Sequence, residues 1–434
     1  MKTVLFLSQA LPFPPDTGAT RRTLNILRQL GQTFRVSLVA FSRRAHQPDE
    51  PARLTAERAL AEHVARVFPS VRFPGEWSRF RRAWDHVRGG VSGRPYSYFQ
   101  YGSEEFGVPL DEALGAEKPD LVHLDSLDFY RWLPKFDGVP TTCTHHDIES
   151  HALLRRADAT GNRLLSAYVR RQANLVRGVE AKWCPRVQLN WTVSPEDSTR
   201  LREIAPGARI AEAPNAVDLE DFPLPRSGEV EENSVVFVGA TYLFANRDAV
   251  GFLLDAVWPE VRRIRPEATL TLVGGNAPGE ARKFRQAPGV HPVGNVDRVQ
   301  PYLARAACSV VPIRTGGGTR LKILESWALG KAVVTTTVGG EGLAIRDGET
   351  AIVRDDPSEL ATSIVRVLDD RALRERLGKQ GRLEVERKYT WDAVGREMRG
   401  RYEELMQSAS ERALLQGTNL ANARTRLEPE RGGR

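Results

Sequence analysis

The stretch over residues 312–343, PIRTGGGTRLKILESWALGKAVVTTTVGGEGL, admits few folds. An apolar run over 308–313 reads as a strand and gives way to Arg314 and Thr315. Gly316, Gly317 and Gly318 follow, and a backbone without Cβ takes positive φ and brings its N–H groups close to a ligand. Leu321, Leu324 and Ala328 then keep helical spacing, with Thr319 as N-cap and Gly330 as the stop. A β-rich run over 332–336 leads to a second glycine turn at Gly339 and Gly340. Strand, glycine loop, helix, strand is the repeating unit of a parallel sheet, and it aims a helix N-terminus at an anion. Arg320 and Lys322 fall in the first helical turn, where cations oppose the helix dipole. By themselves these two residues allow two accounts: an anion at the loop compensates them, or Lys322 pairs with Glu325 and Arg320 is solvated. The glycines, both cations and Glu325 together favour a phosphate-bearing ligand.

The alternation continues along the chain. Strands read at 3–8, 35–41, 119–124, 141–145 and 188–193, and again at 235–238, 269–273 and 290–294. Helical patterns lie at 18–30, 51–68, 77–89, 151–182 and 246–264. A chain of 434 residues exceeds one ordinary core, so two α/β domains are expected: 1–222 and 234–388, joined by a Pro/Gly/Glu-rich linker over 223–233. Further helices reach residue 408, and a polar tail over 409–434 reads as disordered.

Composition excludes several classes. An apolar share of 41% and a charged share of 27% are those of a globular protein. Cys143, Cys184 and Cys308 are far apart with no C-x-x-C, which fits a reducing cytoplasm and argues against a structural zinc site. The apolar run at 4–7 is too short for a signal peptide and is followed by Pro12, Pro14 and Pro15; no run reaches the length of a membrane span. The pairs Asp355-Asp356 and Asp369-Asp370 read as helix caps, not metal ligands. The net charge of +7 is concentrated in two segments, but neither carries a nucleic-acid-binding motif, and no G-x-G-x-x-G marks a dinucleotide site.

One basic segment is the helix over 77–89, where Trp77, Phe80, Trp84 and Val87 form a stripe beside Arg79, Arg81, Arg82 and Arg88. Packing of that stripe on its own domain is expected, with an anionic membrane surface as the alternative. The other is the helix over 151–182, which carries Arg155, Arg156, Arg163, Arg170, Arg171 and Arg177 beside an apolar face of Leu153, Leu154, Leu164, Leu165, Tyr168 and Leu175. Peripheral attachment to the anionic inner face of the plasma membrane and a solvated or internally paired face are both open. Just before it, the strand over 141–145 ends in THHDIES. Ligands of open α/β sheets gather at the carboxyl ends of strands, which makes His145 and His146 catalytic candidates and Asp147 a helix cap.

Read whole, GGGTRLKILESWALGKAVVTTTVGGEGL resembles the donor-binding segment of the GT4-like, group 1 glycosyltransferases of GT-B fold. That likeness implies two Rossmann-like, doubly wound domains facing each other across a cleft, with a final helix over 389–408 crossing back to the first domain. In that family two glutamates spaced E-x7-E hold the nucleotide sugar; Glu325 matches the second, and Gly317 stands at the first. HHDIES resembles the family's H-[ND]-[IV]-E-S, which places His146 against the transferred sugar, and the residues 213–218, APNAVD, resemble the P-N-G-V-D that closes the first domain. The loop PFPPDTG resembles a cleft loop beside the donor phosphates and assigns Gly18 there. Gly239, Asn246, Gly316, Gly317, Gly318, Thr319 and Gly340 complete the donor-binding set, with His146, Arg320, Lys322 and Glu325 as catalytic residues. The turn GATYLFANRD lacks the Arg and Lys that many relatives use for the pyrophosphate, a charge that Arg320 and Lys322 take over.

The implied activity is retaining transfer of a sugar from a nucleoside diphosphate sugar to a glycan or lipid-linked acceptor, without metal or cofactor, in cytoplasmic synthesis of polysaccharide or glycolipid. A binding protein of the same fold that has lost turnover, and a nucleotide-sugar epimerase, are the competing functions.

Overall fold

The computed structural model describes residues 1–15, 17–76, 78–158, 160–226, 228–276, 279–315 and 319–425. The chain divides into two compact units. The first holds Met1–Thr192, Thr199–Ala211 and the chain from Gly395 on; the second holds Val193–Ser198 and Glu212–Val394.

The first unit is built on β1 (Thr3–Ser8), β2 (Arg35–Ser42), β3 (Arg66–Val67), β4 (Val71–Arg72), β5 (Leu121–Leu124), β6 (Thr141–Thr144), β7 (Leu189–Thr192) and β8 (Ile210–Glu212). Their order across the sheet is β3-β2-β1-β5-β6-β7-β8, with β4 also on β2. Strands β1, β2, β5, β6 and β7 pair in parallel. Helices cover both faces of such a sheet, so its strands read as apolar runs; TVLFLS in β1 is buried from Val4 on. The chain leaves β1 toward β2 and returns on the other side at β5, which opens a crevice at the carboxyl ends of β1 and β5.

The second unit repeats the plan with β9 (Glu231–Val238), β10 (Thr269–Val273), β11 (Val290–Gly294), β12 (Ala306–Val311), β13 (Ala332–Thr335) and β14 (Ile352–Val353). The order is β11-β10-β9-β12-β13-β14, with all strand pairs parallel. Its switch lies between β9 and β12, so the turn after β9 and the loop after β12 flank the crevice. Both units are thus α/β and doubly wound, as expected.

Four elements differ from their sequence expectation. The helix expected over 51–68 ends at Leu60, and β3 follows it. The basic stretch over 151–182 is two helices, Glu149–Asp158 and Arg163–Trp183, packed on each other. Asn162 starts the second by accepting from the N–H groups of Leu164 (3.0 Å) and Leu165 (3.1 Å).

The Arg79–Ser92 helix turns its stripe outward, against the expectation that it packs on its own domain. Phe80 is 80% exposed, Trp84 51% and Val91 86%, whereas Asp85 and Gly89 face inward. The inward face is set by close backbone and polar contacts. A Cβ at Gly89 would lie 2.9 Å from Arg94 O, Arg82 donates to Gly75 O (3.1 Å), and His86 bonds Tyr168. Trp77 lies outside the described residues.

Finally, the helix Trp391–Thr425 runs through most of the segment read as a disordered tail. Good helix formers and the i,i+4 contact of Gln407 with Glu411 (3.0 Å) carry it on.

Candidate functional site

In the first unit, β1, the Gly18–Gly31 helix, β5 and β6 bring four distant residues together. Asp125 follows β5 directly, and its Oδ1 meets His146 Nε2 at 3.1 Å. Its Oδ2 accepts from Ser8 Oγ (3.1 Å) at the end of β1 and from Thr23 Oγ1 (3.0 Å) on the Gly18–Gly31 helix. A carboxylate only accepts, so the His146 proton sits on Nε2 and Nδ1 is left as an acceptor. His146 is half-buried and lines a cavity of ≈ 320 Å³ with Ser8, Thr20, Thr23 and Arg43. Its neighbour points elsewhere: His145 is buried, with Nε2 3.0 Å from Asn190 Oδ1 and its backbone N–H on Trp191 O (2.8 Å). The two histidines are therefore structurally distinct, one at the cavity and one in the core.

Gly18 opens its helix beside the same cavity. Thr17 caps that helix, and Thr17 and Thr20 bond each other reciprocally. A Cβ at Gly18 would meet nothing within 4 Å, so the structure gives no packing reason for glycine there.

In the second unit the Leu321–Ala328 helix presents Lys322 to the turn after β9. Lys322 Nζ donates to Asn246 Oδ1 (2.8 Å) and lies 4.4 Å from the Phe237 ring centre. Asn246 in turn donates to Ala240 O (3.0 Å). Gly239 is needed at this point, because a Cβ would come within 2.7 Å of Lys322 Nζ and 2.8 Å of Asn246 Cγ. Gly239, Asn246 and Lys322 thus form one contact. Burial, followed by the nearby Arg320 charge, pulls the Lys322 ammonium down to about 7, with Glu325 opposing the shift. Lys322 forms no ion pair among the described residues; it turns to Asn246, not to Glu325.

The helix N-cap falls on Arg320, not on Thr319, and no side chain caps it. Thr319 Oγ1 is buried with no hydrogen-bond partner among the described residues, close to Gly342. Gly340 is held by its N–H on Thr336 O (3.0 Å), and a Cβ there would run into Ile345. Gly316, Gly317 and Gly318 lie outside the described residues. Of the acidic pairs, Asp356 caps the helix Pro357–Asp369 and Asp370 caps Arg371–Lys388. Asp355 accepts from Thr337 N (2.9 Å) and Oγ1 (2.7 Å), and Asp369 pairs with Arg265.

Asp125 is the site residue that the sequence did not single out. The signal was present: it stands at the carboxyl end of a parallel strand, the position that drew notice to His146.

Two parallel α/β units with crevices at their switch points define the GT-B class of glycosyltransferases, and solved structures of that class share the fold. Sucrose-phosphate synthase from Thermosynechococcus elongatus superposes with a TM-score of 0.67 at 18% identity, covering 94% of this chain and 100% of that one. HepE of Anabaena, solved with UDP-glucose, gives 0.60 at 15% identity, covering 94% and 100%. Residues 17–221 match Glycosyltransferase Family 4, and residues 232–370 match Glycosyl transferases group 1. The chain belongs to these GT4-like group 1 glycosyltransferases. Glycogen synthase of Mycobacterium tuberculosis is 28% identical over 309 residues, covering 64% of this chain and 67% of that protein.

Proposed function

We propose that this glycosyltransferase takes a sugar from a nucleoside diphosphate sugar and passes it, with retention, to an acceptor hydroxyl in cytoplasmic synthesis of cell-surface polysaccharide or glycolipid. The observation that carries the reading is Lys322, a half-buried ammonium without a carboxylate partner among the described residues, at an uncapped helix N-terminus. Breaking the anomeric C–O bond builds negative charge on the leaving diphosphate. Lys322, Arg320 and the N–H groups of the helix's first turn are the donors suited to that charge. HepE, a protein of the same fold, was solved with UDP-glucose, which supports a nucleotide sugar as donor.

Positive charge builds on the sugar ring, and the Asp125–His146 pair is suited to it: the Asp125 carboxylate holds the imidazole through Nε2–H and offsets the charge, while Nδ1 accepts a hydrogen bond. This places His146 in orienting and charge stabilisation, without a covalent intermediate. No metal enters the reading, since the diphosphate charge is met by cations and amides and three of the four paired aspartates are taken up by caps and an ion pair.

A thermal-shift screen of UDP-, GDP- and ADP-sugars in excess EDTA tests it. One nucleotide class should raise Tm, and Lys322→Met should weaken that nucleotide by about 1.5–3 kcal/mol, the worth of a hydrogen bond to a charged group. No shift with any of the three, or an unchanged affinity in the variant, overturns the assignment.

A further inference from the structure

We propose that the groove between the Arg79–Ser92 helix and the paired helices Glu149–Asp158 and Arg163–Trp183 binds a lipid-linked phosphate as the acceptor's carrier. The inference rests on the proposed function, with the acceptor hydroxyl taken to meet the transferred sugar at His146 in the first unit.

The groove has a volume of ≈ 610 Å³. Arg82 and His86 line one wall, and Leu153, Arg156, Leu165 and Val169 line the other. It shares Arg43 and Glu76 with the His146 cavity, so the groove adjoins the cavity of the Asp125–His146 pair.

Its charge is lopsided. Arg43, Arg82 and Arg156 face the single carboxylate of Glu76, and none of the three forms an ion pair among the described residues. Arg43 donates to neutral oxygens only, Gln9 O at 3.0 Å and Tyr101 Oη at 2.7 Å, and Arg82 donates to Gly75 O at 3.1 Å. Glu76 itself accepts from the Arg44 N–H (2.7 Å). Three guanidinium groups with no carboxylate at ion-pair distance among the described residues make a receptor for a phosphate.

The bordering helices carry the rest of the argument. Leu165, in the groove wall, is 48% exposed and Leu164 beside it 84%. Across the groove the Arg79–Ser92 helix holds its apolar stripe outward, so unpartnered apolar surface flanks the arginines. A soluble phosphorylated glycan would leave that surface in water. A second copy of this chain would press one arginine-rich face against another. An amphiphile satisfies both halves, with its phosphate on the arginines, its tail along Leu153, Leu165 and Val169, and its sugar end toward His146.

Dodecyl phosphate below its critical micelle concentration is the probe, titrated calorimetrically into the full chain, with inorganic phosphate and dodecyl maltoside as controls and UDP-glucose titrated in parallel. Dodecyl phosphate should bind at least ~10-fold more tightly than either control. Arg82→Gln combined with Arg156→Gln should weaken it by a similar factor, Leu165→Ser should weaken it several-fold, and both variants should keep wild-type melting and wild-type UDP-glucose affinity. Binding no tighter than inorganic phosphate would point to a soluble phosphorylated ligand and overturn the proposal. Binding no tighter than dodecyl maltoside, or an unchanged affinity in the double variant, would overturn it as well. Failure of UDP-glucose to bind while dodecyl phosphate binds through these arginines supports the groove and counts against the donor reading instead.

Discussion

At the scale of single residues, Lys322 gives donor binding a pH dependence of known sign. Its free ammonium is pulled from the ordinary 10.5 to about 7, and a diphosphate beside it would favour the charged form again. Above pH 7, binding then takes up a proton. Affinity for UDP-glucose should be flat below about 7 and fall above it, by at most about tenfold per pH unit, until the pKa of the complex is reached. Calorimetry in buffers of different ionisation enthalpy reads both the slope and the proton uptake. Lys322→Met should bind more weakly with no slope, and a flat wild-type profile would remove Lys322 from the phosphates. His146 and Lys322 were legible because each sits in a local pattern. Asp125 was not, for its partners Ser8, Thr23 and His146 are 117, 102 and 21 residues away in the chain. A lone aspartate after an apolar run reads equally well as a turn residue; only the strand order brings its partners to it.

Among elements, the long buried strands were legible, because burial on both faces leaves continuous apolar runs, while β3, β4, β8 and β14, two or three residues each, were not read. The Arg79–Ser92 helix shows where that legibility stops. Periodicity tells which side chains share a face, but not whether that face meets protein or something else. The break between Asp158 and Arg163 was read through because apolar residues on both sides keep helical spacing; the first helix ends at Asp158 and Asn162 caps the second. Glycine spacing carries a test of helix packing. The Arg371–Lys388 helix lies on the Leu321–Ala328 helix and its end through Gly378 and Gly381: a Cβ at the first would overlap Gly330 O, and one at the second the Trp327 ring. Trp327 is fully buried and donates to Thr350 O (2.9 Å), so it has no room to yield. Gly381→Ala should cost about 1–3 kcal/mol by overpacking. Gly400→Ala, in open helix surface, should be stabilising by roughly 0.5–1 kcal/mol. Urea unfolding of the two variants decides it, and equal midpoints would show that the interface adapts.

For the molecule as a whole, the first unit is assembled from separated stretches of sequence. Its core takes in Met398, Tyr402 and Leu405 of the Trp391–Thr425 helix. Tyr402 Oη bonds Nδ1 of His123 at 2.6 Å, inside β5, and burial pulls that imidazole down to about 3, so it stays neutral there. A chain ending at Val394 should lose amide-exchange protection in β5 and β6 while β9 and β12 keep theirs; full protection of all four would show the helix to be dispensable. The same arrangement bears on birth at the ribosome. Strands β1 to β8 emerge early but lack the last piece of their core until the final helix appears. At 5–20 residues per second that wait is on the order of ten to forty seconds. Synthesis order and completion order are thereby reversed: the later-made unit closes first, and the earlier-made one waits with its β5–β6 face open to chaperones.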